Sequence, residues 1–312
     1  MNTLETVQIF QTELDKATIE QSTSGWMEVN DKLVKYSGGS EVKIPKLTMD
    51  GLADYSRETG FIEGGIDLSF QTKTLTQDRG RIFTFDEIDV DESNFILTAS
   101  SVIGEFQRTK VVPEIDAYRY SKIAKIAIEN GQVTDDYEPS EDDILKQLYT
   151  DIANVLDIVG DSSELVITMS TRVASILDMS TQIQKNLSVV DFKKGNMMFK
   201  VSALNGQHPI IRVGSSRLKT DYIFKDGITS GQTSGGFSAS SSAKDINWII
   251  CPKSTPIAVS KTDKMRTFTP ENYQSKRAWA IDYRKFHDLW IPDNQVSNIF
   301  VNIRQSSSSI AE

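Results

Sequence analysis

Little in this chain could serve as a catalytic centre. A single cysteine, Cys251, rules out an intramolecular disulfide and fits synthesis in a reducing compartment. Because Cys251 follows an apolar run, it reads as a small packed hydrophobe rather than a nucleophile. The two histidines, His208 and His287, stand far apart and give a histidine triad or a zinc site almost nothing to build from. Both read as ordinary surface or hydrogen-bonded residues. Phosphate-cradling patterns of the GxxxxGKS/T and GxGxxG types are absent. No apolar run approaches the roughly 20 residues of a membrane span. The N-terminus, MNTLETVQIFQTELDK, is amphipathic and mixed in charge, unlike a signal peptide. Positive charge is short as well. With 34 Lys and Arg against 43 Asp and Glu the formal charge is −9, which argues against gripping nucleic acid through the overall field. It leaves open a life beside DNA without holding it.

What is present is an ordinary soluble composition over 312 residues, enough for a core and two subdomains. The segment from Ser93 to Asn130 organises the rest. Phe95, Ala99, Val102, Ile103, Phe106, Ile115, Tyr118, Ile123, Ile126 and Ala127 recur at helical spacing. A helix of that length spans roughly 55 Å at about 1.5 Å per residue. Pro113 predicts a bend near its middle, and Gly131 a left-handed stop.

Ahead of this spine, residues 3 to 20 have helical period but little surface to bury alone, so they are expected to dock elsewhere. Ser22, Thr23, Ser24 and Gly25 read as loosening the chain before Trp26. From Trp26 to Glu92 the pattern is that of strands. Val42 and Ile44 alternate with polar residues, and Pro45 confines that strand to an edge or ends it. Ile66, Leu68 and Phe70 share one face, as do Phe83 and Phe85, while Ile88 and Val90 fall on the opposite parity, a slip that predicts a bulge. A two-stranded arm of this kind is poorly stable alone and needs a partner surface.

After the spine, Ser140 to Asp143 has a capping-box pattern opening a helix through Val159. Leu165 to Ile167 reads as a buried strand, Thr171 to Met179 as a helix, and Asn205-Gly206 as a hairpin turn. The Gly/Ser-rich stretch 226 to 245 reads as a mobile loop, and its GQTSGG around Ser234 lacks the spacing of a nucleophile elbow. Strand pattern returns in Trp279, Ile281 and Tyr283, then in IFVNI ending at Ile303. Glu87, Asp89 and Asp91 would share a strand face able to bind a hard cation, but solvated or salt-bridged charge is the plainer reading. No cofactor or metal site is expected.

Several stretches carry a resemblance. LTQDRGRIFTFDEIDVDES (75–93) followed by VVPEIDAYRYSKIA (111–124) is similar to the extended-loop-to-spine junction of the major capsid proteins of tailed bacteriophages, the Hong Kong 97-type fold. LNGQHPIIRVGSSRLKT (204–220) and INWIICPKSTPIAVSKTDKMRTFTP (246–270) resemble later strands of the axial domain in that family, and AWAIDYRKFHDLWIPDN (278–294) a peripheral-domain strand and turn. The resemblance spans almost the whole chain in the right order, although no single motif is diagnostic.

It implies an α+β fold with an N-terminal arm (1–34), an extended β-loop (35–92), a peripheral domain with a long spine helix (93–135 and 262–305), an axial α/β domain (136–261) and a C-terminal tail (306–312). It further implies a non-enzymatic structural protein that self-assembles into hexamers and pentamers of an icosahedral head in the virion. That head is built in the bacterial host cytoplasm, encloses double-stranded DNA without sequence-specific binding, and involves no membrane. A portal is the implied partner. The first strand is reached by about residue 42, which leaves no room for the cut-away scaffolding segment of some relatives, so a separate scaffolding protein is expected. Arg57, Asp78, Arg79, Arg81, Glu114, Asp116 and Arg119 are the expected intersubunit or domain-locking charges, the alternative for each being a solvated face. The type member crosslinks through a lysine and an asparagine; Lys43, Lys46 and Lys73 lie in the extended loop, but none aligns to that role and no catalytic set is transferred. Two rival readings are an encapsulin-type nanocompartment shell, which shares the fold, and a metal-dependent hydrolase using the acidic run at 86 to 92.

Overall fold

The computed structural model describes residues 22–38, 40–58, 60–86, 104–161, 163–180, 187–194, 197–273, 275 and 277–304. The amphipathic segment 3–20, the acidic run Glu87 to Asp91, the strand parity of Ile88 and Val90, the first third of the spine and the tail 306–312 lie outside them.

In chain order the strands and helices are β1 (Lys35–Gly38), β2 (Glu41–Met49), β3 (Ile66–Thr74), β4 (Gln77–Asp86), α1 (Val112–Glu129), β5 (Val133–Thr134), α2 (Ile144–Val159), β6 (Leu165–Ser170) and α3 (Thr171–Met179). There follow β7 (Leu187–Lys194), β8 (Met197–Leu204), β9 (His208–Val213), β10 (Tyr222–Phe224), β11 (Phe237–Ala239), β12 (Ile246–Pro252), β13 (Ile257–Phe268), β14 (Ala278–Trp290) and β15 (Phe300–Ile303).

The body is a seven-stranded mixed sheet in the order β5-β15-β12-β6-β9-β8-β7. Its central strands β6 and β12 are buried along their whole length, so period-two alternation sorts their side chains between two cores rather than between core and water. Val166, Ile249 and Cys251 face the core that α1 completes with Tyr120, Ile123, Ala124 and Ala127. Leu165, Ile167, Met169, Trp248 and Ile250 face the opposite core, closed by α2 and α3 through Leu148, Ile152, Val155, Val173 and Leu177. The final strand pairs with β12, Ile303 opposite Ile246, and runs parallel to β5 on its other side.

The spine is helical from residue 104 onward, with a π-helical turn at Gln107–Val111 directly before Pro113. The amide of Val112 bonds to the carbonyl of Gln107, five residues back, and a π turn of this kind is a recognised way to absorb a proline in a helix. Gly131 follows the helix at φ +71°, the left-handed stop expected of it. The capping box forms by halves: Asp143 accepts from the amide and hydroxyl of Ser140 at 3.1 and 2.7 Å, but α2 itself begins only at Ile144.

A second sheet, β13-β14-β4, is antiparallel. Phe83 and Phe85 lie opposite Ile281 and Trp279, and Phe83 meets the ring of Phe106, in the first described turn of the spine, at 4.9 Å. Gly80 permits the close approach of β4 to β14, since a Cβ there would stand 2.9 Å from the Tyr283 carbonyl oxygen.

Candidate assembly surface

The third sheet, β1-β2-β3, carries the arm. Beyond the short β1, which pairs only with Glu41 to Lys43, β2 and β3 run on as two strands. Pro45 does not end β2, which continues to Met49; its missing N–H falls where β1 no longer runs alongside. Residues directly opposite in an antiparallel pair project to the same face. At the root, Val42 and Ile44 are buried with Val34, Leu75, Ile257, Val259 and Trp290. Past Pro45 the apolar parity reverses. Leu47 lies opposite Leu68 and Met49 opposite Ile66, all exposed, with Phe70 beside them and Leu52 and Phe61 exposed at the tip. Lys46, Thr48, Asp67 and Ser69 take the other face. The arm therefore buries one face on its own body and offers the opposite face, farther out, to water.

The tip is organised rather than loose. Asp50 and Gly65 exchange hydrogen bonds, Asp50 N–H to the Gly65 carbonyl at 3.1 Å and Gly65 N–H to Asp50 Oδ2 at 2.7 Å. Tyr55 and Phe61 pack in a tilted pair, 4.9 Å between ring centres.

Buried carboxylates lock the arm root and the N-terminal entry onto the spine. Asp288 on β14 is fully buried and accepts from the Thr76 amide at 3.0 Å, the Thr76 hydroxyl at 2.9 Å and the Tyr118 hydroxyl at 2.6 Å, with the Lys122 ammonium paired to it. Burial, then the neighbouring Asp288 charge, push the Tyr118 phenol far above its ordinary value. Farther out, Asp293 accepts from Gln71 at 2.7 Å and Lys73 at 3.4 Å. Asp116 on α1, fully buried, gathers the Ser22 hydroxyl at 2.9 Å, the Thr23 amide and hydroxyl at 3.1 and 3.0 Å, and the Ser24 amide and hydroxyl at 3.1 and 2.6 Å. Arg119, 1% exposed, donates to Glu28 at 2.5 Å and to the Ser24 carbonyl at 3.3 Å. Burial would raise the Glu28 carboxyl, but the Arg119 and Lys285 cations outweigh it and hold it down at about 2. Trp26 and Met27 enter the main core just beyond, so residues 22–34 are built into the body, and the serine-rich stretch expected to loosen the chain is a clamp.

No protein-family model and no curated protein matches the chain. Its structure is similar to solved ones. The asymmetric unit of the bacteriophage PhiM1 mature capsid gives a TM-score of 0.56 at 10% identity, covering 87% of this chain and 84% of that one. A structure from Gordonia phage Cozz gives 0.55 at 14% identity, covering 90% and 87%. The capsid structure of the Cyanophage P-SCSP1u gives 0.54 at 10% identity, covering 88% and 86%. The fold is the α+β, Hong Kong 97-type capsid fold.

On this capsid fold the expected charges separate into two groups. Arg79 and Glu114 meet at 2.6 Å, and Asp116 and Arg119 form the buried node above. Asp78 is bound bidentately by Arg284 at 2.8 and 2.5 Å across the β4–β14 pair, which lowers its carboxyl below the usual value. Arg81 lies against the glycines of the 226–236 loop. These residues are engaged within the subunit. Arg57 alone sits apart, exposed at the arm tip. Sequence reasoning missed Asp288, Thr76 and Asp151; the last accepts from Trp248 Nε1 and Asn302 Nδ2, both at 2.9 Å, in the second core. Both histidines are buried, and His208 takes the hydrogen-bonded alternative, its Nδ1 accepting from the Leu165 amide at 3.4 Å. His287 is held neutral, its value pushed far down by burial and then by Arg119, Lys285, Lys122 and Arg79. Among the described residues no cluster of His, Cys, Asp and Glu is placed to hold a metal, and no helix is long and apolar enough to cross a membrane.

Proposed function

We propose that this protein is the major shell subunit of a phage head, assembling as hexamers and pentamers into an icosahedral capsid around double-stranded DNA. The parity reversal at Pro45 carries the reading. A root that buries Val42 and Ile44 on its own chain, followed by an arm that leaves Leu47, Met49, Ile66, Leu68 and Phe70 exposed on the opposite face, is shaped to be finished by another molecule. Exposed contiguous apolar surface of this kind marks a protein interface. In a closed assembly the partner is another copy, and a contact that is modest once becomes strong when repeated around a ring. The role is structural rather than enzymatic, in the virion, with a portal and a separate scaffolding protein as partners during assembly in the host cytoplasm. An acidic inner wall would keep the genome from snagging, in keeping with the charge of −9.

Negative-stain microscopy of the purified protein, alone and with its scaffold, tests the reading. Closed shells are expected from the wild type. The double substitution Leu47→Asp, Leu68→Asp is expected to abolish them while leaving the circular dichroism of the subunit unchanged. A wild type that stays monomeric with and without scaffold, or arm variants that assemble normally, would overturn it. Shells that carry a protein cargo and no nuclease-protected DNA would move the function to a nanocompartment.

A further inference from the structure

Arg79 sits at the root of the arm, yet most of its contacts are elsewhere. Its Nε donates to Glu114 on the spine at 2.6 Å, Nη1 to the Lys225 carbonyl at 2.8 Å and Nη2 to the Gly236 carbonyl at 3.2 Å. Lys225 and Gly236 are the two ends of one loop, joined to each other by the Lys225 amide at 2.9 Å from the Gly236 carbonyl. Arg79 therefore closes the neck of that loop with its planar fork, a geometry a lysine cannot reproduce. Arg81, two residues on and so on the same strand face, lies beside the loop as well. Its Nη1 is 3.2 Å from where a Cβ on Gly235 would stand and 3.4 Å from that of Gly227, and both glycines have positive φ. Below the neck, Phe224 and Phe237 stack with ring centres 6.3 Å apart, and Phe224 packs on Tyr118, the spine tyrosine that also bonds Asp288. Asp288 in turn holds Thr76, three residues before Arg79. A loop that composition alone marks as loose is thus laced to the arm, and it presents Ile228 to solvent.

We propose that Arg79 makes the arm root and the 225–236 loop one mechanical unit, so that loosening or displacing the arm loosens the loop. The coupling is internal to the subunit and does not depend on the assembly reading. Because the bonds to Arg79 are charge-assisted, their loss changes a local opening equilibrium by about tenfold.

Hydrogen exchange read by mass spectrometry on the unassembled full-length chain tests it. Thr76→Val removes the hydroxyl bond to Asp288 and is expected to speed exchange in peptides covering both 66–74 and 225–236. In the Arg79→Ala background the same substitution is expected to speed only 66–74, the loop already exchanging about tenfold faster than in the wild type. Arg79→Lys, which keeps the charge but not the fork, serves if the alanine variant does not fold and is expected to give the same pattern. Loop exchange that is indifferent to Thr76→Val in the wild type, or equally responsive to it with and without Arg79, overturns the coupling.

Discussion

Asp116 and Ser24, ninety-two residues apart, are joined twice: the Ser24 amide and hydroxyl both bond to Asp116 Oδ1, at 3.1 and 2.6 Å. This is where the chain leaves its N-terminal segment and is pinned to the spine. A fully buried carboxylate is tolerated only when its lone pairs are filled, and here the donors come from three consecutive residues and from Arg217 at 3.4 Å.

Asp116→Asn keeps the shape but turns one acceptor into a donor facing the Thr23 amide and hydroxyl. It is expected to destabilise the subunit by about 3–5 kcal/mol, the range for stripping one member from a buried charged network. Ser24→Ala, which removes a single hydroxyl, is expected to cost about 1 kcal/mol. Urea unfolding of the unassembled chain measures both, and an Asp116→Asn loss no larger than that of Ser24→Ala contradicts the clamp.

The Glu28–Arg119 pair predicts a pH dependence. Glu28 is depressed in the folded chain to about 2 from an ordinary 4.5. A depressed carboxyl contributes stability that is complete above the unfolded value and is lost as pH falls toward the folded one. Glu28→Gln is therefore expected to be less stable than the wild type at neutral pH, with the gap closing between about pH 4.5 and pH 2. Urea midpoints for the two proteins over that window give the answer, a constant gap meaning that Glu28 titrates normally.

What the sequence could and could not disclose follows from the range of its signals. Periodicities of 2 and 3.6 are local, so the faces of β2, β3 and β14, the helix Thr171–Met179 and the Asn205-Gly206 turn, with Asn205 at φ +53°, were legible. The reversal at Pro45 was half legible: the faces of Val42 and Ile44 and of Ile66, Leu68 and Phe70 could be read, but Pro45 read as an edge or an end, and neither pattern tells which face meets the body and which meets water. Long-range polar pairing leaves no periodic mark. Thr76 and Asp288 look like unremarkable surface residues until the topology brings them together, and although Asp116 stands out as a charge on the spine, nothing local marks Ser22 as its partner. His287 misled for a related reason, since this end of β14 is buried on both faces and alternation there no longer separates inside from outside.

Cys251 offers an internal reporter. It lies in the central strand β12, 1% exposed, and burial pushes its thiol up to about 12. With neither access nor thiolate it is expected to resist a disulfide reagent in the native subunit and to react fully in urea. The labelling rate is expected to track global unfolding, because β12 can open only with the sheet. Labelling much faster than unfolding, in native buffer, would mean that the sheet opens locally at β12.

Gly80 tests whether the arm root depends on close strand approach. A methyl group there would meet the Tyr283 carbonyl oxygen at 2.9 Å, with Arg284 Cα at an ordinary 3.5 Å. The carbonyl oxygen is backbone and not a flexible side-chain end, so β4 must lift from β14 to admit it. The strain falls beside Arg79 and the Asp78–Arg284 pair, both of which need β4 in place. Gly80→Ala is expected to cost about 1–3 kcal/mol, the usual range for forcing a methyl group into a filled site. Gly64→Ala, at the arm tip, where the nearest atom is Asp50 Cβ at an ordinary 3.7 Å, is expected to change stability by less than about 0.5 kcal/mol. If thermal unfolding places the two variants at the same midpoint, the tight β4–β14 contact is not what seats the arm.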